Sequence, residues 1–169
     1  MSEELNECLD LIESLRRTPD EVAALVDGLS RQTLIAKNSP DEFSALENVC
    51  HLRDIEIEGY TVRVKRILTE DKPVLPDIDG GLLAIERDYN SQSLTEALDA
   101  FAKARQGNVS ALAGLNRNEF DREGVMEGVG DVTLGKLLLM MRDHDDGHLD
   151  DLRVIRNAAN RQNTSASSA

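Results

Sequence analysis

The stretch GDVTLGKLLLMMRDHDDGHLDDLRVIR, residues 130–156, decides the fold. Its apolar residues Leu134, Leu137, Leu138, Met141, Leu152 and Ile155 recur every three or four positions, the spacing of one buried helix face. The stretch reads as a helix that starts near Asp131 or Thr133 and reaches Ala159. His144, Asp145 and His148 interrupt the stripe. Polar groups on a buried face need partners, because an unsatisfied one costs about 1–3 kcal/mol.

Working outward, FSALENVCHLRDIEIEGYTVRVKRIL (43–68) opens a second long helix that runs to residue 70. Leu46, Val49, Cys50, Ile57, Tyr60, Val64, Ile67 and Leu68 make one face. His51, Ile55, Glu58 and Val62 make a weaker second face, so burial on more than one side is expected. Ser44 with Glu47 is a candidate capping box, with a start near Pro40 as the other option. Residues 3–37 are helical in pattern but interrupted at Thr18-Pro19-Asp20-Glu21, which reads as a helix start: one broken helix or two. Residues 71–92 read as a loop holding a short helical segment, LLAIERDY (82–89). Ser93 and Glu96 open a third helix to about residue 115, weakened at Gly107. Residues 116–130 read as a connecting loop, with Gly124, Gly128 and Gly130 as turn formers.

Four amphipathic helices without a convincing strand predict an all-α four-helix bundle. The long connection between helices two and three permits a crossover there. The length of 169 residues suits a single domain, taken as residues 1–160. The polar tail, 161–169, is expected to be mobile.

Acidic residues outnumber basic ones by 32 to 19, and the net charge of −13 repels nucleic-acid backbones and anionic membranes alike. No apolar run approaches the ~20 residues that span a bilayer. The acidic start MSEELNECLD lacks a signal-peptide pattern, so the cytoplasm is the expected compartment. Cys8 and Cys50 are too few for a disulfide framework and read as free thiols. Aromatics are scarce and Trp is absent, which weakens any base- or sugar-stacking role.

His144 and His148 stand at i and i+4, so two imidazoles on one helix face can reach one metal ion. Gly147 between them would permit a close approach. HDDGH departs from the zinc-protease pattern HExxH: Asp145 replaces Glu, and no His or Glu follows His148 as a third ligand. His51 is on a different helix, and bundles build metal sites from facing helices. Nothing local in the sequence places those helices together at that point. Three histidines from two helices would form the open, catalytic kind of site.

The segments 43–68, 82–89 and 130–156 together resemble the DinB-like superfamily of four-helix-bundle proteins. The specific pieces are His51-Leu52-Arg53-Asp54-Ile55-Glu56 and His144-Asp145-Asp146-Gly147-His148-Leu149. The resemblance implies a divalent metal (zinc, nickel or iron) on His51, His144 and His148, and a homodimer. Many members carry Trp where this chain has Phe43, a change expected to affect packing. Characterised relatives include bacillithiol S-transferases and a mycothiol-dependent isomerase, with a low-molecular-weight thiol as cosubstrate. Others are regarded as metal-dependent hydrolases.

Around the histidines, Glu47 and Asp54, at i−4 and i+3 from His51, are candidates to receive its free N–H, and Asp145 to do so near His148. A solvated acid is the alternative for each. Glu58 is placed to line a pocket. Cys50 is expected to be a buried structural thiol. Arg53, Arg87 and Arg142 are expected on the surface or in ion pairs, with recognition of an acidic substrate as the alternative. The expected function is metal-dependent chemistry on a small-molecule substrate, by S-transfer or hydrolysis. The alternative is a non-enzymatic dimeric binding or stress-response module with a structural metal.

Overall fold

The computed structural model describes residues 3–166. In chain order the elements are α1 (Glu3–Val26), α2 (Arg31–Ile35), α3 (Ala45–Asp54), a π-helical turn (Ile55–Tyr60), α4 (Thr61–Thr69), β1 (Val74–Leu75) and α5 (Gly80–Glu86). A 3-10 turn (Tyr89–Ser91), α6 (Leu94–Leu112), α7 (Arg117–Phe120), β2 (Glu123–Met126), β3 (Gly130–Thr133) and α8 (Leu134–Ala166) complete the order. The bundle consists of α1, the α3–π–α4 rod, α6 and α8.

Two apolar clusters show how these rods run. One end gathers Val22 and Val26 of α1, Leu46 and Val49 of α3, Ala97 and Phe101 of α6, and Leu149 and Leu152 of α8. The other gathers Ile12 and Leu15, Val64 and Ile67, Val109 and Leu112, and Leu137 and Met141. The second and third rods therefore run parallel to each other and antiparallel to α1 and α8. The chain between them must return along the length of the bundle, so the long connection is a true crossover.

The crossover is held at its start by a small sheet in the order β1-β2-β3. β1 pairs parallel with β2, and β2 pairs antiparallel with β3. These strands correct the loops expected at 71–92 and 116–130; segments of two to four residues are too short to show an alternating pattern. Gly128 and Gly130, with φ of +74° and +100°, make the hairpin turn, as expected. Gly124 acts differently: a Cβ there would lie 3.0 Å from Leu75, so its role is close approach.

The second rod starts at Ser44, with both bonds of the capping box formed. It is not uniformly α-helical. At the π turn the Thr61 amide reaches back to the Glu56 carbonyl, and the Thr61 hydroxyl donates to the same oxygen at 2.8 Å. The added residue rotates the remainder of the rod by about 100° relative to an α-helical continuation. Ile57, expected in the core, is consequently 40% exposed, while Glu56 turns inward. Of the second face expected from the sequence, His51 and Ile55 are buried, whereas Glu58 and Val62, in and after the turn, are exposed.

α1 passes through Pro19 without a break, against the helix start expected there. Proline removes the N–H that would satisfy the Leu15 carbonyl. Arg105 Nη1 supplies a donor to that oxygen at 3.0 Å. The α8 helix continues to Ala166, past the expected end near Ala159, and the rest of the expected mobile tail lies outside the described residues.

Arg105 is 1% exposed and sits between two equally buried carboxylates. It donates to Glu56 Oε2 at 2.9 Å and to both oxygens of Asp145 at 2.6 and 3.1 Å. Asn108 Nδ2 donates to the other Glu56 oxygen at 2.7 Å. All four rods meet in this network. Replacing Arg105 with Leu strands two buried acids, and urea denaturation should show a loss of about 3–5 kcal/mol.

Candidate metal centre

Antiparallel packing of α3 against α8 sets His51 opposite His144 and His148. The ring centroids lie 4.6 Å apart for His51–His148 and His144–His148, and 5.1 Å apart for His51–His144. One ring nitrogen from each falls within 4.8 Å of the other two. His51 Nε2 and His144 Nε2 approach to 3.0 Å. Nitrogens bound at ~2.0–2.1 Å to one tetrahedral ion stand about 3.4 Å apart, so this donor set fits a divalent cation.

The walls come from four elements. Phe43 lies over His148, with its centroid 6.1 Å away and its ring tilted by 16°, and is 5.1 Å from the His51 ring. The residue expected to affect packing thus touches two site rings. Tyr60 meets His144 edge-on at 5.9 Å, its hydroxyl donating to the Met140 carbonyl. From the crossover, Gly80 presses on His51: a Cβ there would fall 2.1 Å from its Cε1 and 2.5 Å from its Nδ1. Asn48, fully buried on α3, places its Oδ1 2.7 Å from His148 Nδ1. The buried Nδ1 atoms of His51 and His144 have no hydrogen-bond partner.

Electrostatics keeps two of these rings neutral. Burial, then His144, pushes His51 down to about 4. Burial, then His144 and His51, pushes His148 down to about 3. Neutral imidazole is the form that binds metals. Beside them, burial works to raise the Asp145 carboxyl, but His144, Arg105 and the Thr18 hydroxyl outweigh it and hold it low. Its Oδ1 is 3.9 Å from His144 Nδ1, longer than a hydrogen bond.

None of the three acids expected to orient an imidazole hydrogen-bonds one. Glu47 closes the α3 cap and pairs with Lys37 at 3.1 Å. Asp54 receives Arg53, Arg87 and Tyr89. Asp145 pairs with Arg105. The residue that does orient a ring is Asn48. Its position carries a usable signal: it lies one turn before His51, next to Val49 and Cys50 of a face expected to be buried. Glu58 binds Arg87 rather than lining a pocket. Arg53, Arg87 and Arg142 all sit in ion pairs, the last with Asp146. Cys50 is fully buried, and burial pushes its thiol up to about 11, as befits a structural cysteine. At Gly147 an added Cβ would meet nothing within 4 Å, so no close approach occurs there.

Fold and site together define a four-helix-bundle protein with a histidine triad compatible with a metal ion. Residues 14–152 match the DinB superfamily, and the chain belongs to that superfamily. The structure is similar to YfiT from Bacillus subtilis, described as a probable metal-dependent hydrolase with an unusual four-helix bundle topology. The TM-score is 0.86 at 17% identity, covering 95% of this chain and 90% of that one. No curated protein matches the chain at a significant level. Among the described residues, no helix is long and apolar enough to cross a membrane.

Two outcomes check this geometry. The Gly80→Ala methyl must displace His51, and calorimetric zinc titration should show affinity reduced about 10-fold or more. For pH, the unfolded histidines titrate near 6.5 but His51 and His148 in the fold only near 4 and 3. Between those values the unfolded chain holds more protons, so stability of the metal-free protein falls as pH drops below about 6.5. Urea midpoints measured from pH 7 to 4 should fall, and less steeply in His148→Gln.

Proposed function

We propose that this chain is a divalent-metal-dependent enzyme acting on a small molecule, with His51, His144 and His148 as the metal ligands. The observation that carries the reading is the convergence of three imidazoles, from two rods, on one point that no acid or thiol joins among the described residues. A bound zinc, nickel or iron ion supplies Lewis-acid charge and lowers the pKa of a thiol or water in its open position. Phe43 and Tyr60 shield the rings on two sides, and Gly80 closes over His51.

The neighbouring acids favour a thiol as the nucleophile. Glu47, Asp54, Glu56, Glu58 and Asp145 are each committed to an ion pair. None of these five is left as a free base to take a proton from water. A thiol, with an ordinary pKa near 8.5 against about 15.7 for water, ionises beside a cation with less help from a base. Transfer of a low-molecular-weight thiol to an electrophile is therefore the leading reaction. Hydrolysis is the second reading, supported by the likeness to YfiT.

Protein purified without a histidine tag should contain about one divalent metal ion per chain by elemental analysis. The His51→Ala/His144→Ala/His148→Ala variant should contain none. The loaded protein should conjugate a small thiol to a chromogenic electrophile, and His148→Ala should lose about 100-fold or more. Ester cleavage without conjugation would replace S-transfer by hydrolysis. Metal without either activity would establish the non-enzymatic alternative.

A further inference from the structure

The hydrogen bonds around Asn48 determine which of its side-chain atoms faces the triad. One terminal atom lies 2.9 Å from the Ser44 carbonyl and 3.4 Å from the Phe43 carbonyl. Carbonyl oxygens only accept, so that atom is the amide nitrogen. The oxygen is then the atom 2.7 Å from His148 Nδ1. An amide oxygen also only accepts, so His148 Nδ1 must donate. A neutral imidazole with its proton on Nδ1 has a bare lone pair on Nε2.

We infer that Asn48 is a positioning residue: through its buried Oδ1 it holds the His148 proton on Nδ1 and leaves Nε2 free at the centre of the triad. Its consequence for metal binding rests on the proposed metal site; the tautomer itself does not. The support is rigid. Ser44 is the N-cap of α3, and its carbonyl also accepts the Asn48 backbone N–H at 2.9 Å. Phe43, next in the chain, stacks on the same imidazole. A single turn of backbone, 43–48, thus fixes both the plane and the proton of His148. His51 and His144 have no hydrogen-bond partner at Nδ1, so His148 is the one ring of the three whose Nδ1 is fixed by a hydrogen bond.

Long-range proton–nitrogen correlation spectra of the metal-free wild type at neutral pH should show His148 Nε2 unprotonated and Nδ1 protonated. Asn48→Leu should lose the single tautomer, and zinc affinity by chelator competition should fall about 10- to 100-fold. Asn48→Asp retains the acceptor but loses the N–H bonds to Ser44 and Phe43. It should melt lower than wild type yet recover most of the zinc affinity, whereas a merely structural role would weaken both variants alike. Wild-type His148 protonated on Nε2, or Asn48→Leu binding zinc like wild type, overturns the inference. The wild-type spectrum decides even if Asn48→Leu does not fold. Zinc failing to bind a wild type with the expected tautomer would defeat the metal reading and leave the tautomer assignment standing.

Discussion

A guanidinium almost out of water, held between two carboxylates, is the constraint around which this bundle is arranged. Arg105 on α6 meets Glu56 on the second rod, Asp145 on α8 and the Leu15 carbonyl on α1. Two of these contacts answer a local irregularity. The carbonyl is the one Pro19 leaves without a donor, and Glu56 faces inward because of the π turn. Charges in such surroundings are tolerated only when each faces one of opposite sign. A slip of any rod by one turn would leave an unpaired charge in the core, so the network sets relative height as well as stability.

The same network borders the histidines. Asp145 hydrogen-bonds no imidazole, but it sits directly after His144 in the chain and faces Arg105. One cation between two anions leaves a net negative charge beside three imidazoles. That field favours a cation at the triad without any acid entering its ligand set. On the proposed reading two tasks often given to one carboxylate are separated: Asn48 orients a ring by hydrogen bonding, and Asp145 contributes negative charge.

Much of this is legible in the sequence. The α8 stripe from Leu134 to Leu152 is readable because its apolar residues are large and regularly spaced. The Ser44–Glu47 box is readable because it is a local motif. The features that escape a sequence reading depend on distant partners. Pro19 resembles a helix start because only Arg105, far along the chain, makes it tolerable inside α1. Ile57 resembles a core residue because a one-residue phase shift leaves composition unchanged. At the site, all three histidines stand out in the sequence, but their meeting point comes from no local spacing. Asn48 is missed by a search for acids, although a neutral amide meets the same geometric need at less cost in burial.

The parallel course of the second and third rods has an effect beyond topology. The imidazoles all stand on rods, yet the surface that leans on His51 belongs to the returning strap at Gly80. On the proposed reading, reactivity and choice of guest are therefore set by different pieces of chain. On that reading, replacements in the strap would reshape what is admitted while the three histidines stay in place.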